Sequence, residues 1–215
     1  MKSVVEKFIE ELKAKDDILG VLIFGSYVRG DQRENSDVDF LVVTKSSTFR
    51  DVETREGQVF EIVYSSLNDA KAFYENNPDN AVRQWNDGKI VFDRNGEMEE
   101  LRSFVATIKE KGKAELTVKQ KAHLRFDAED RISALEYLKE QDFPTANSNL
   151  YLLANSLLDL YFNLKRKWAP APKQSLKVLR INDPAMARLF DSFYSSQEFE
   201  EQMQITKQII KDLFE

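Results

Sequence analysis

Gly25-Ser26 is followed, after ten intervening residues, by Asp37 and Asp39 at alternate positions. Gly25 closes the apolar run Ile18–Phe24 and lacks a Cβ, so a ligand can approach its backbone. Ser26 then opens a short helix whose free N–H groups favour an anion, which makes the turn a phosphate cradle. Side chains two apart on a strand share a face, so the carboxylates of Asp37 and Asp39 leave the sheet together. Such a pair suits Mg²⁺, which takes oxygen ligands and is commonly held by one or two carboxylates with substrate phosphates. A third acid, Glu61, lies between Phe60 and Ile62. Charged groups are seldom buried unless paired or metal-bound. A hairpin-like separation allows the Glu61 strand to lie beside that of Asp37. Three acids around a phosphate cradle suit nucleotidyl transfer: one or two Mg²⁺ neutralise a triphosphate while a carboxylate takes the proton of an acceptor hydroxyl.

The elements that must hold these residues follow from periodicity. Val4, Val5, Phe8, Ile9 and Leu12 predict an amphipathic helix over 3–15. Apolar runs predict strands at 18–24 and 38–43, and alternation predicts a third at 58–64, with Val59, Glu61 and Val63 on one face. A helix over 66–75 ends at Asn76-Asn77-Pro78, a strand over 89–93 closes at Asp93-Arg94-Asn95-Gly96, and a helix runs from 97 to 111. Beyond Gly112 only helices are expected, near 116–140, 145–168, 173–180 and 185–214, separated at Phe143-Pro144, Ala169 to Pro172 and Asp183-Pro184. The expected fold is α+β: a small mixed-sheet domain over 1–112 that binds nucleotide and Mg²⁺, followed by an all-α bundle over 113–215 for acceptor binding or dimerisation.

Composition narrows the chemistry. The 215 residues include no cysteine and one histidine, His123, which excludes disulfides, zinc fingers, iron–sulfur clusters and a thiolate nucleophile. Any metal must be held by oxygen. The net charge of −6 falls wholly in residues 1–112, with 22 acidic against 16 basic, leaving 15 of each in the remainder. That balance argues against nucleic acid as a partner. No run reaches the ~18 apolar residues of a membrane span, so a cytoplasmic protein is expected.

Gly25-Ser26, ten residues, then Asp37-Val38-Asp39 resembles the signature of the polymerase-β-like nucleotidyltransferase superfamily, and Arg29-Gly30 and Ser36 match its accompanying positions. The resemblance implies that Asp37, Asp39 and Glu61 are the catalytic, metal-binding acids. It also implies that Gly25, Ser26, Arg29 and Ser36 bind the nucleotide, ATP or another NTP. The second half is similar to the helical domain of the antibiotic nucleotidyltransferases, kanamycin nucleotidyltransferase among them, over Tyr151 to Lys173, with Asn155, Asp159, Tyr161 and the run Lys165-Arg166-Lys167. In such enzymes the helical domain contributes to the acceptor site. The candidates here are Asp127, Glu129 and Asp130.

The implied reaction moves AMP from ATP onto a hydroxyl of a small molecule, aminoglycoside-like or lincosamide-like. The alternative is a protein-AMPylating antitoxin-type enzyme or interaction module. Several residues also have ordinary readings. Arg29 can pair with Asp31 or Glu34, His123 suits a surface position, Trp85 and Trp168 suit packing, and the acids at 127–130 suit a solvent face. Phe190, Phe193, Tyr194 and Phe199 either supply a homodimer surface or complete the bundle.

Overall fold

A computed structural model describes residues 3–215. The chain divides into two compact units, 1–111 and 112–215.

In the first unit, α1 (Val4–Lys13) begins with a capping box: Ser3 Oγ accepts from the Glu6 amide, and the Glu6 carboxylate accepts from the Ser3 amide. Next come β1 (Ile18–Phe24), a one-turn α2 (Ser26–Arg29), β2 (Val38–Thr44), β3 (Phe49–Arg55) and β4 (Gln58–Ser66). Two helices, α3 (Leu67–Asn76) and α4 (Pro78–Asp87), precede β5 (Lys89–Asp93) and α5 (Glu97–Lys111). The sheet order is β3-β4-β2-β1-β5. All neighbours are antiparallel except β2 and β4, which run parallel with Asp39 opposite Glu61. The expected adjacency of those strands is present, but not as a hairpin, because β3 intervenes in sequence and pairs with β4 as the edge.

Each sheet face has its own core. On one, Phe8 of α1 stacks on Phe60 with ring centroids 4.7 Å apart and meets Phe40 edge-on at 5.2 Å. Val21, Ile23, Val38, Val42 and Ile62 complete that layer. On the other, Leu22, Leu41 and Val43 pack against Ala70, Tyr74, Ala81, Met98, Leu101 and Val105 of α3, α4 and α5. Phe40 follows Asp39 and Phe60 precedes Glu61, so the aromatic cluster fixes from beneath the two positions whose carboxylates leave the opposite face. Such pairs contribute ~0.5–1.5 kcal/mol beyond their buried area.

The second unit holds α6 (Val118–Gln141), α7 (Phe143–Leu164), α8 (Pro172–Asn182), α9 (Pro184–Ser195) and α10 (Phe199–Phe214). Its core joins Leu150, Leu153, Leu157 and Phe162 of α7 to Phe190 and Phe193 of α9 and Met203, Ile209 and Ile210 of α10. Phe190, Phe193 and Phe199 therefore complete the bundle, and all three are buried. Among the described residues no helix is long and apolar enough to cross a membrane.

Several boundaries depart from expectation. β3 was not anticipated: its residues Arg50, Asp51, Glu53 and Arg55 are charged, as an edge strand permits. The Asn-Asn-Pro break ends α3 at Asn76 as expected, but a helix that was not expected, α4, follows at once, because Pro78 occupies a first-turn position where it needs no N–H. Phe143-Pro144 acts the same way at the start of α7. That helix stops at Leu164 rather than 168. The stretch expected as one helix over 185–214 is two, broken after Ser195 where Ser196 is extended at ψ 143°.

Candidate functional site

Four elements converge on one end of the sheet, on the face that α3, α4 and α5 leave partly uncovered. β1 ends at Phe24, opposite Asp39. Gly25 turns the chain into α2 with φ +79° and ψ −154°, a conformation L side chains rarely adopt. An added Cβ would lie 2.0 Å from Asp39 Oδ2. Glycine is required twice, by its backbone conformation and by the carboxylate lying against it. Ser26 is only 2% exposed. Its carbonyl accepts from the amides of Gly30 and Asp31, which winds the turn tightly; Gly30 ends it in the left-handed conformation.

Carboxylate oxygens of Asp37, Asp39 and Glu61, one from each, lie within 4.8 Å of one another, and all three residues are half-buried. Parallel pairing brings two of them together, Asp39 and Glu61 lying opposite across the β2–β4 ladder; Asp37, expected on the same strand, lies in the loop just before β2, outside the ladder. Three carboxylates this close repel one another, and in partly desolvated surroundings the repulsion must be offset by positive charge. An oxygen-only, partly buried, three-carboxylate set has the composition that a hard divalent cation takes. Among the described residues it is the one group of three or more potential ligands so arranged.

One compensating charge is protein-borne. Arg50 of β3 forms an ion pair with Glu61, and its own side chain is 71% exposed. Sequence reasoning missed Arg50 because it missed β3. No apolar alternation marks that strand: Phe49 shares a face with Asp51 and Glu53, and Val52 with Arg50 and Thr54.

The remaining sequence candidates have defined environments. Arg29 is engaged: Nη1 donates to Asp87 Oδ2 at 2.5 Å, and Nη2 lies 3.2 Å from Asp31 Oδ1. Burial would lower its pKa, but the bonds to Asp87 and Asp31 outweigh that and raise it. The pair ties α2 to α4. Tyr74 also anchors α4, donating to Gln84 at 2.7 Å and accepting from Trp85 Nε1 at 3.2 Å, so Trp85 serves packing. Ser36 closes the turn before β2: its Oγ accepts from the Arg33 amide at 2.8 Å and its carbonyl accepts from Gln58 Nε2 at 2.8 Å.

In the helical unit, Asp127, Glu129 and Asp130 lie on the exposed side of α6 and do not converge. Glu129 accepts from Arg125 at 2.8 Å, one turn earlier. Asp127 lies 3.5 Å from His123 Nε2. Asp127 differs from the other two in lining a cavity of about 320 Å³ between α6 and α7, together with Arg131, Ser156, Asp159 and Asn163. Arg131 Nη1 donates to Ser156 Oγ there at 3.0 Å.

A strand-to-helix glycine turn thus lies beside three close carboxylates, two of them paired across the strand ladder. Residues 5–113, half of the chain, match the nucleotidyltransferase domain family, and the chain belongs to that family. Over 69 residues it is 33% identical to "Putative protein adenylyltransferase MJ1305" of Methanocaldococcus jannaschii, an alignment covering 30% of this chain and 47% of that one. A second M. jannaschii protein of the same description is 43% identical over 42 residues, 20% of this chain and 49% of the relative. The chain thus spans less than half the length of these curated relatives. In structure it is similar to a nucleotidyltransferase-like protein from Exiguobacterium sibiricum 255-15, with a TM-score of 0.53, 15% identity, and coverage of 98% of this chain and 73% of the other. That likeness extends the shared fold beyond the first unit.

Proposed function

We propose that the protein transfers a nucleoside monophosphate, AMP from ATP, to a hydroxyl of a small-molecule acceptor and releases pyrophosphate, with Mg²⁺ bound by Asp37, Asp39 and Glu61. The observation that carries this reading is the meeting of those three carboxylates within 4.8 Å beside the Gly25–Ser26 turn. When bound, the metal supplies charge neutralisation for a triphosphate. Asp39 on β2 and Asp37 in the loop just before it would hold it. The backbone amides at the start of α2, freed of a Cβ at Gly25, bind phosphate oxygens, and Ser26 adds its hydroxyl. Ser36 holds the turn that delivers Asp37, and Arg29 holds α2 in place through Asp87 and Asp31. Glu61, ion-paired with Arg50 of β3, is the carboxylate we assign to accept the acceptor's proton once that pair opens. Release of Glu61 by Arg50 would permit either role.

The cavity lined by Asp127, Arg131 and Asp159 supports a small polar acceptor. A protein hydroxyl as acceptor is the second reading, favoured by the description of the M. jannaschii relatives. The test is release of pyrophosphate from α-labelled ATP with and without Mg²⁺, offered panels of amino-sugar antibiotics and of cellular proteins. Label must move to one panel only in the presence of metal. Glu61→Gln should lower kcat more than it raises the Kd for ATP, whereas equal kcat in that variant would remove Glu61 as the base.

A further inference from the structure

The other end of the sheet, on the opposite face, carries a second polar recess. Its floor is Tyr64 of β4, Thr44 of β2 and Ile18 of β1, all buried; its rim is Lys15, Asp17, Ser47, Phe49, Asp51 and Glu53, enclosing about 210 Å³. Thr44 lies five residues along β2 from Asp39, so about 17 Å of strand separates the recess from the acid cluster. Tyr64 also points to the face opposite Glu61.

Tyr64 is 6% exposed, yet its hydroxyl makes no hydrogen bond among the described residues, and it is not among the fully enclosed polar atoms, so it opens into the recess. The hydroxyl is therefore reachable from the recess, with no described protein group bonded to it. Burial raises its pKa, and the carboxylates of Glu53, Asp51 and Asp17 raise it further against the opposing effect of Arg55. Three carboxylates thus face the hydroxyl's surroundings, against two cations, Lys15 on the rim and Arg55 bonded to Glu53. Glu53 is shared with Arg55 at 2.6 Å, and Asp51 accepts only from its neighbour's amide, Val52, at 2.8 Å. These acids are too dispersed to form the close ligand group a bare metal ion takes, which among the described residues occurs only at Asp37, Asp39 and Glu61. Phe49 stacks on Tyr64 with centroids 4.4 Å apart and is itself 50% exposed, leaving a ring beside the acids. The rim is held: Arg94 donates to the carbonyls of Lys13, Lys15 and Ile18, the Asp17 carbonyl accepts from Lys45, and Thr44 Oγ1 bonds Ser47 in both directions.

We propose that this recess binds a small organic cation, a guanidinium or primary amine on a short apolar stem. The charged head lies among Asp17, Asp51 and Glu53, the stem lies against Phe49, and the Tyr64 hydroxyl supplies the one hydrogen bond that its own surroundings leave unmade. A planar guanidinium fits best, since it both stacks on aromatic rings and pairs with carboxylates. The site is separate from the proposed transfer centre and does not depend on that reading.

The experiment is a titration of the full chain with agmatine, followed by backbone amide NMR shifts and calorimetry, with glutarate as the anionic control of similar length. The expected result is saturable binding with shifts centred on residues 15–18, 44–53 and 64. Asp51→Asn should weaken it about tenfold, and Tyr64→Phe, which keeps the ring, about threefold to tenfold. Asp39→Asn should bind agmatine as the parent does. Unchanged melting temperatures would show that these variants are folded. Absence of saturable binding up to about 10 mM, equal affinity in Asp51→Asn and Tyr64→Phe, or shifts that centre on Asp37, Asp39 and Glu61 would each overturn the proposal.

Discussion

The sheet unit and the helical unit hold their acids in opposite ways. In the sheet unit, Asp39 and Glu61 are brought together by the strand ladder, their backbones pinned from beneath by Phe8, Phe40 and Phe60, and Asp37 joins them from the loop before β2. In the helical unit, Asp127, Glu129 and Asp130 lie along the exposed side of one helix, where a turn of separation and nearby basic groups relax them. The first arrangement concentrates an electrostatic strain that a cation would relieve; the second disperses it. Charged residues of similar number are thus concentrated in one unit and dispersed in the other, and for Asp39 and Glu61 the difference lies in register.

The sharpest way to break the comparison is at Asp39. Asp39→Asn removes a charge without changing volume, so Mg²⁺-dependent pyrophosphate release should fall about 10³-fold or more while the melting temperature holds or rises. Retained turnover would mean the carboxylates are only a structural cluster. Gly25→Ala comes next. Its Cβ would collide with the Asp39 carboxylate at a strained backbone position, so a loss of about 1–3 kcal/mol of stability in denaturant melts and about a hundredfold in turnover is expected. Wild-type turnover in that variant would show that the Asp39 side chain need not lie against the turn.

Smaller effects are expected in the helical unit. Asp127→Asn should raise the KM for the acceptor about threefold to tenfold with kcat unchanged, and Glu129→Gln should change neither. Reversal of that order would move the acceptor site off the α6–α7 cavity. The smallest effect concerns the cap of α7. Asp142 Oδ2 accepts from the Thr145 hydroxyl at 2.7 Å and Oδ1 from its amide at 3.2 Å, and these bonds lower the Asp142 pKa below its ordinary 3.8. A depressed folded pKa gives stability that is complete above the unfolded value and lost as pH falls through the folded one. Asp142→Ala should therefore melt below the parent at neutral pH, with the gap closing below about pH 4. A pH-independent gap would assign the effect to packing.

Much of the candidate site was legible in the sequence because its signals are local. The Gly25–Ser26 turn needs only a buried strand before it, and the face of Asp39 follows from strand periodicity alone, although Asp37 lies in the loop just before that strand. Glu61 was legible as to face and neighbouring strand but not as to direction: a short separation in sequence suggests a hairpin, whereas the chain interposes β3 and returns parallel. β3 itself was illegible because an edge strand with one solvent-facing surface can be built from arginines and acids, and with it went Arg50. The helix starts at Pro78 and Phe143 were misread for a related reason. Proline ends one helix and begins the next equally well, and the choice depends on what the following turn packs against. The break after Ser195 has no glycine or proline to announce it.

The parallel pairing of β2 with β4 also bears on how the chain tolerates change. Glu61 meets Asp39 because Phe60, Ile62 and Tyr64 lock β4 into the core, not because a tight turn measures the distance between them. The stretch joining β2 to β3 can therefore grow or shrink without altering the separation of the acids, since each doubling of a loop's length costs only about 0.6 kcal/mol. A one-residue slip within β4 would instead turn Glu61 to the opposite face. Residues 45–48, at the end of β2 away from Asp39, are accordingly a place where added sequence leaves the acids' spacing unchanged, while β4 is a ruler whose length must be left alone.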